Sequence, residues 1–505
     1  MKNHIQFNKS ISKILLILPV LALSCTYDFP ESEKATSGST DFSKVISVGN
    51  SLTAGFMNGA LYSASQGNSF PSIIANQLKL VGGGDFNQPT ITAENGCFNP
   101  AGGCTQGRLY LKLTRCDPAD ETKPLSPGPT PKTGDGAASF AFLGDKTSLN
   151  NFGVPGVTLG SALSPALSAS PYYARIASNA GTSTLIGDAS TALANGGTFF
   201  TFWLGNNDIL GYATAGGTGT YTSTSDFGTR FNVALGAMLA AKTDAEGTVA
   251  NIPNVTDIPY FSTINPLSFN VPVCSRPALT AGIGQLNAAI NGWNAGVNAN
   301  TNLSAEQKTA LLRPVLSTNF ETYPLIIGDA SLSNAQVPTS GGTFTIPKIR
   351  NVVAADKILI CLSAGSNPAG LPAGMGVSPA NPINEAAHDA FYLTPVEQVE
   401  IKSVVEAYNT IISASVNSNS SRLALVDINA TMSLIKKGSV VVNGIPLLSS
   451  ISPPYGAFSL DGVHPNARGS AYIANIFINA INAKWESNIP LVNPNDYSGN
   501  ELPIP

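Results

Sequence analysis

The alternation of apolar runs and polar turns is the strongest pattern in the chain. Lys44-Val45-Ile46-Ser47-Val48 is a short, largely apolar run that breaks at Gly49-Asn50-Ser51-Leu52. A run of that length closed by a glycine turn predicts a buried strand that delivers a serine at its C-terminal edge. The pattern recurs. Gly197 to Leu204 is aromatic and β-branched and stops at Gly205-Asn206-Asn207-Asp208. Asn151 to Thr158 reads as a strand end followed by a glycine turn, and Thr248–Ile252 and Leu423–Asp427 are further strand candidates. Helical spacing fills the gaps. Phe70–Leu80 has a proline near its start, and Asp226–Lys242 sets Phe231, Leu235, Met238 and Leu239 on one face. Thr394–Val416 opens on Thr-Pro-Val-Glu, and Asn466–Trp485 turns Ala471, Ile473, Ile476, Phe477 and Ile481 mostly inward. Strand alternating with helix predicts a layered α/β sheet.

Two stretches lose this rhythm. Residues 81–145 are rich in Gly, Pro and Cys without a sustained period, and the expectation is a partly ordered loop near the site. In residues 260–391 the pattern predicts two helices, 279–298 and 304–312, and β-like pieces such as 342–346. They read as an insertion forming a cap or a wall of the binding cleft. The expected domain therefore spans 41–490 with these two insertions, followed by a tail at 491–505.

Composition adds a compartment. Charged residues are 11% of the 505, against about 25% in an average protein. The net charge of -4 leaves no electrostatic footprint for nucleic acid. At the N-terminus, Lys2, Lys9 and Lys13 precede the apolar run Ile14–Leu23, which is too short to span a bilayer. Leu21-Ala22-Leu23-Ser24-Cys25 resembles the lipobox of bacterial lipoproteins, whose cysteine is lipidated and becomes the mature N-terminus; a plain signal peptide is the other reading. The expectation is a lipoprotein signal peptide at 1–24, lipidation of Cys25, a flexible tether over 25–40, and a membrane-anchored place in the bacterial envelope, on the outer membrane. Export frames the later cysteines: one disulfide among Cys97, Cys104 and Cys116, and a second joining Cys274 to Cys361.

The chemistry rests on few residues. Beyond His4 in the leader, only His388 and His464 remain. His388 has no partner pattern and reads as a surface-loop residue. His464 stands before Pro465 with Asp461 three residues earlier, so the carboxylate can fold back onto the imidazole. Serine hydrolysis needs that pair: a base to take the hydroxyl proton and an acid to fix the base's tautomer. The same residues also suit a turn capped by an Asp. Oxyanion donors would be the N–H groups of Ser51 and Gly156 and the side-chain amide of Asn207.

Together, Gly49-Asn50-Ser51-Leu52, Asn151 to Gly156, Gly205-Asn206-Asn207-Asp208 and Asp461-Gly462-Val463-His464-Pro465 resemble, in order, the four blocks of the SGNH (GDSL-type) hydrolases. The resemblance implies a three-layer α/β/α, flavodoxin-like fold and esterase, lipase, thioesterase or carbohydrate-deacetylase activity without a cofactor. It implies Ser51 as nucleophile, His464 as base, Asp461 as acid, and Gly156 and Asn207 in the oxyanion hole. The family's usual Asp before the serine is Asn50 here, which can hydrogen-bond but carries no charge. The substrate expected is a lipid or other small acyl ester, with acetylated polysaccharide as the alternative. Two other classes compete: a non-catalytic ligand-binding lipoprotein, and a metallohydrolase using Asp208, Asp461 and His464.

Overall fold

The computed structural model describes residues 34–114, 126–268, 276–323, 325–359 and 391–503. Its centre is a parallel sheet of five strands: β1 (Val45–Gly49), β2 (Asn151–Gly153), β3 (Phe199–Trp203), β4 (Glu246–Ala250) and β5 (Leu423–Val426). They lie in the order β2-β1-β3-β4-β5. That is a doubly wound order, whose direction reverses between β1 and β3.

Strand alternation supplies both faces of the sheet with apolar side chains. In β3, Phe200 and Phe202 enter one core, while Phe199 and Trp203 enter the other. The first core is closed by α3 (Leu185–Ala194), α5 (Thr224–Ala241) and α7 (Pro395–Ser418) through Leu193, Phe231 and Tyr408. The second is closed by α2 (Phe70–Leu78) and α9 (Ala467–Trp485) through Ile74 and Phe477. Each such fully buried aromatic contributes about 2–3 kcal/mol of apolar burial. Helices on both faces give three layers, α/β/α.

The helix starts are those the sequence signals. Thr394 and Glu397 form a capping box at α7, with Thr394 N donating to Glu397 Oε2 at 2.7 Å. Asn466 caps α9 through Gly469 N at 3.0 Å. Helices unmarked in the pattern reading include α3, α4 (Asn207–Thr214), directly after β3, and α8 (Ile428–Lys436), after β5.

The first insertion is more ordered than expected. Gln106–Thr114 pairs antiparallel with Ser126–Thr133, a strand containing Pro127, Pro129 and Pro131. Prolines at every second position leave every other residue with an N–H, and only alternate N–H groups of an antiparallel edge face the partner strand. Proline-rich composition hid a hairpin. The expected bridge within the cysteine cluster is Cys97–Cys104. Cys116, Cys274, Cys361, His388, Cys25 and the signal segment at 1–24 lie outside the described residues.

The second insertion builds a core of its own. Helix α6 (Arg276–Ala299) brings Ile283 and Ile290 against Leu316, Ile326 and Ile349. Two boundaries also move. Residues 36–40, expected in the tether, dock on the end of α9: Ser39 N donates to Trp485 O at 2.9 Å, and Asn488 N to Thr36 O at 3.0 Å. The tail beyond 490 is fastened too, since Asn475 takes Val492 N at 2.9 Å and Asn500 Nδ2 donates to Phe458 O at 2.8 Å.

Candidate active site

Register decides what converges. Gly49 of β1 lies opposite Gly153 of β2 and Trp203 of β3. The three strands end level, so the turns after them leave from one edge, at the point where strand order reverses. Crevices at such switch points are where open α/β sheets bind ligands.

Ser51 begins the short helix α1 (Ser51–Ala54) immediately after β1. Gly49 is required by close packing: a Cβ there would meet Thr53 Oγ1 at 2.0 Å. Asn50 is the N-cap, its Oδ1 accepting from Leu52 N at 2.9 Å while the residue is only 1% exposed. The amide thus braces the turn through its oxygen, and no buried charge is needed to do so. Among the described residues, nothing accepts from the N–H of Ser51.

His464 Nε2 stands 2.9 Å from Ser51 Oγ, and His464 Nδ1 stands 3.0 Å from Asp461 Oδ2. Residues 413 apart in sequence are thereby joined in one hydrogen-bonded chain. The acid is strongly held. Asp461 Oδ1 accepts from Val463 N and His464 N, both at 2.9 Å, and Oδ2 also accepts from Gly59 N at 2.8 Å. Burial alone would push its carboxyl up, but the adjacent imidazole and these donors outweigh burial and hold it down to about 2. An ionised Asp461 accepts from Nδ1–H, which leaves the Nε2 lone pair facing the serine hydroxyl. The Phe56 ring lies 4.8 Å from the His464 ring and shields one side of it.

Asn207 lines the same pocket with Ser51 and His464. One of its Nδ2 hydrogens goes to Val157 O at 2.8 Å. That bond ties it to the turn holding Gly156, which has φ +76° and is exposed. Gly156 itself does not line the pocket; its N–H has no acceptor among the described residues. The turn is fixed from a second side by Asp208, whose Oδ2 accepts from Leu159 N at 2.9 Å and Oδ1 from Thr222 Oγ1 at 2.8 Å. Burial pushes the Asp208 carboxyl up, those bonds opposing it. Asp208 is therefore a strut of the fold and stands apart from Asp461 and His464. Among the described residues no group of three His, Cys, Asp or Glu could hold a metal ion. None of the described residues of the second insertion lines the pocket.

Sequence reasoning missed the residues that hold the acid. Asn58, at φ +55°, accepts from Leu460 N through Oδ1 at 2.9 Å, and its own N–H donates to Ser459 Oγ at 2.9 Å. With Gly59, this turn clamps the Asp461 loop. Asn58-Gly59 is legible as a turn dipeptide, but its partner lies about four hundred residues on and leaves no local trace. Comparison of the chain with models of known protein families, with curated proteins and with solved structures finds no match.

Proposed function

We propose that the chain is a serine ester hydrolase of the SGNH type, acting on carboxylic esters without a cofactor. The observation that carries this reading is the Ser51–His464–Asp461 hydrogen-bond chain at the sheet's switch point, with both contacts at 3.0 Å or less. Ser51 Oγ attacks the acyl carbonyl while His464 Nε2 takes its proton, and Asp461 steadies the imidazolium that forms. The oxyanion is held by the N–H of Ser51 and the remaining N–H of Asn207, and the Gly156 N–H joins them only if its turn moves toward the pocket. His464 returns the proton to the departing alcohol. Water then adds through the same base and releases the acid.

Ser51→Ala removes the nucleophile, and turnover of an aryl acetate is expected to fall by about 10⁴-fold or more, with loss of covalent labelling by a fluorophosphonate. Undiminished turnover in that variant overturns the mechanism. The leader supports export and lipid anchoring at Cys25 in the bacterial envelope, on the outer membrane. No helix among the described residues is long and apolar enough to cross a membrane. Metabolic labelling with a fatty acid, lost in Cys25→Ser, tests the anchor.

A further inference from the structure

A second cavity adjoins the catalytic pocket. It is somewhat larger than the pocket and shares four of its lining residues with it: Leu52, Pro253, Ile258 and Val463. Leu52 follows Ser51 and Val463 precedes His464, so the wall common to both cavities lies next to both reacting side chains. From there the cavity runs between α8 and α9, past Met432 and Ile435 on one helix and Ile473 and Ile476 on the other, over Trp203.

Its chemistry is uniform. Thr431 is the only residue of the lining with a hydroxyl, and that hydroxyl donates to Asp427 O at 3.0 Å. The Trp203 indole N–H is likewise spent on Asn251 O at 3.1 Å. The groove offers no unpaired side-chain donor or acceptor to a sugar hydroxyl. It offers a continuous apolar surface that is partly open, with Leu52, Ile473 and Ile476 all half-buried. Exposed apolar surface leading away from a nucleophile is stabilised by covering it with hydrocarbon.

We infer that this groove is the specificity subsite of the enzyme and takes an unbranched hydrocarbon chain carried by the ester undergoing hydrolysis. The inference rests on the ester hydrolase reading and narrows it: chain length, rather than sugar recognition, governs the choice of substrate. The chain belongs either to the acyl group or to the alcohol, since the shared wall holds the neighbours of both Ser51 and His464.

The test uses the full chain and two ester series. One carries acetyl, butyryl, hexanoyl and octanoyl groups on one aryl alcohol, and the other carries acetates of straight alcohols of rising length. In one series kcat/KM is expected to climb by up to about fourfold per added methylene, and the series that climbs identifies which half of the ester enters the groove. Ile473→Glu, which places a charge in the groove, and Thr431→Trp, which fills it, are each expected to flatten that climb. If either variant fails to fold, the wild-type slopes decide. Hydrolysis of aryl acetate with both series flat overturns the groove and leaves the hydrolase standing. Absence of any ester turnover, together with absence of phosphonate labelling at Ser51, overturns both.

Discussion

The two insertions teach opposite lessons about how added chain relates to an active site. The first is wired into it. Leu109 of the hairpin donates to Asn58 O at 2.8 Å, and Ser63 N to Ala93 O at 2.9 Å, bracing the turn that holds Asp461. Its apolar residues Ile91, Cys97 and Cys104 share one cluster with Ala54 of the Ser51 helix, and Phe56 packs on that cluster. The second insertion meets the rest at its ends, where Tyr260 N donates to Gly462 O at 2.8 Å and Phe261 and Leu359 enter the main core, while its middle has its own core around Ile283 and Ile290. It is locked by Arg350, whose Nε meets Asp329 Oδ2 and whose Nη2 meets Asp356 Oδ1, both at 2.6 Å. An insertion that shares a core with a site transmits strain to it. One with a private core can melt while the site persists.

The sharpest break in that comparison is Arg350→Ala. Asp356 is fully buried and Asp329 nearly so, and removing their shared partner leaves two uncompensated carboxylates at a cost of about 3–5 kcal/mol. Hydrogen exchange should rise sharply in peptides covering 279–351, while aryl acetate turnover stays near wild type. A large loss of turnover would show that the insertions are not independent.

The mirror experiment is Cys97→Ala with Cys104→Ala, expected to cost about 2–3 kcal/mol. Here exchange should rise around residues 57–62 and turnover should fall, with no change over 279–351.

Acid supplies a third probe. The Asp461 carboxyl is depressed to about 2, so the unfolded chain binds that proton more readily. Its contribution, about 2 kcal/mol, is complete above the unfolded pKa of about 3.9 and is lost as pH falls toward 2. Asp461→Asn should therefore show a shallower loss of stability between pH 4 and pH 2 in denaturant titrations, those bounds being about the two pKa values. An unchanged slope refutes the assignment of that charge.

The smallest effect expected is from Asn58→Gly, which keeps the left-handed backbone and deletes the amide bonds to Leu460 N and Tyr62 OH. A cost of about 1–2 kcal/mol should appear as a roughly tenfold drop in kcat, with KM little changed.

The sequence by itself determined the sheet strands and the helices that carry a periodic apolar face, because burial imposes a local period of two or 3.6 that a single segment displays. β3 is legible from its aromatic run, and α7 from its capping box. It also marked Ser51, Asp461, His464 and Asn207, since each stands in a turn with a distinctive local pattern. What it could not show was held by distance. The proline-rich strand Ser126–Thr133 looks like loop until its partner strand is present. Asp208 looks like a metal ligand until Leu159 N and Thr222 occupy it. Only the tertiary structure decided that three strands end level, that Asn58 and Gly59 clamp the Asp461 loop, and that an apolar groove adjoins the pocket of Ser51. Those facts depend on register and on contacts between residues hundreds apart, which no local pattern of side chains encodes.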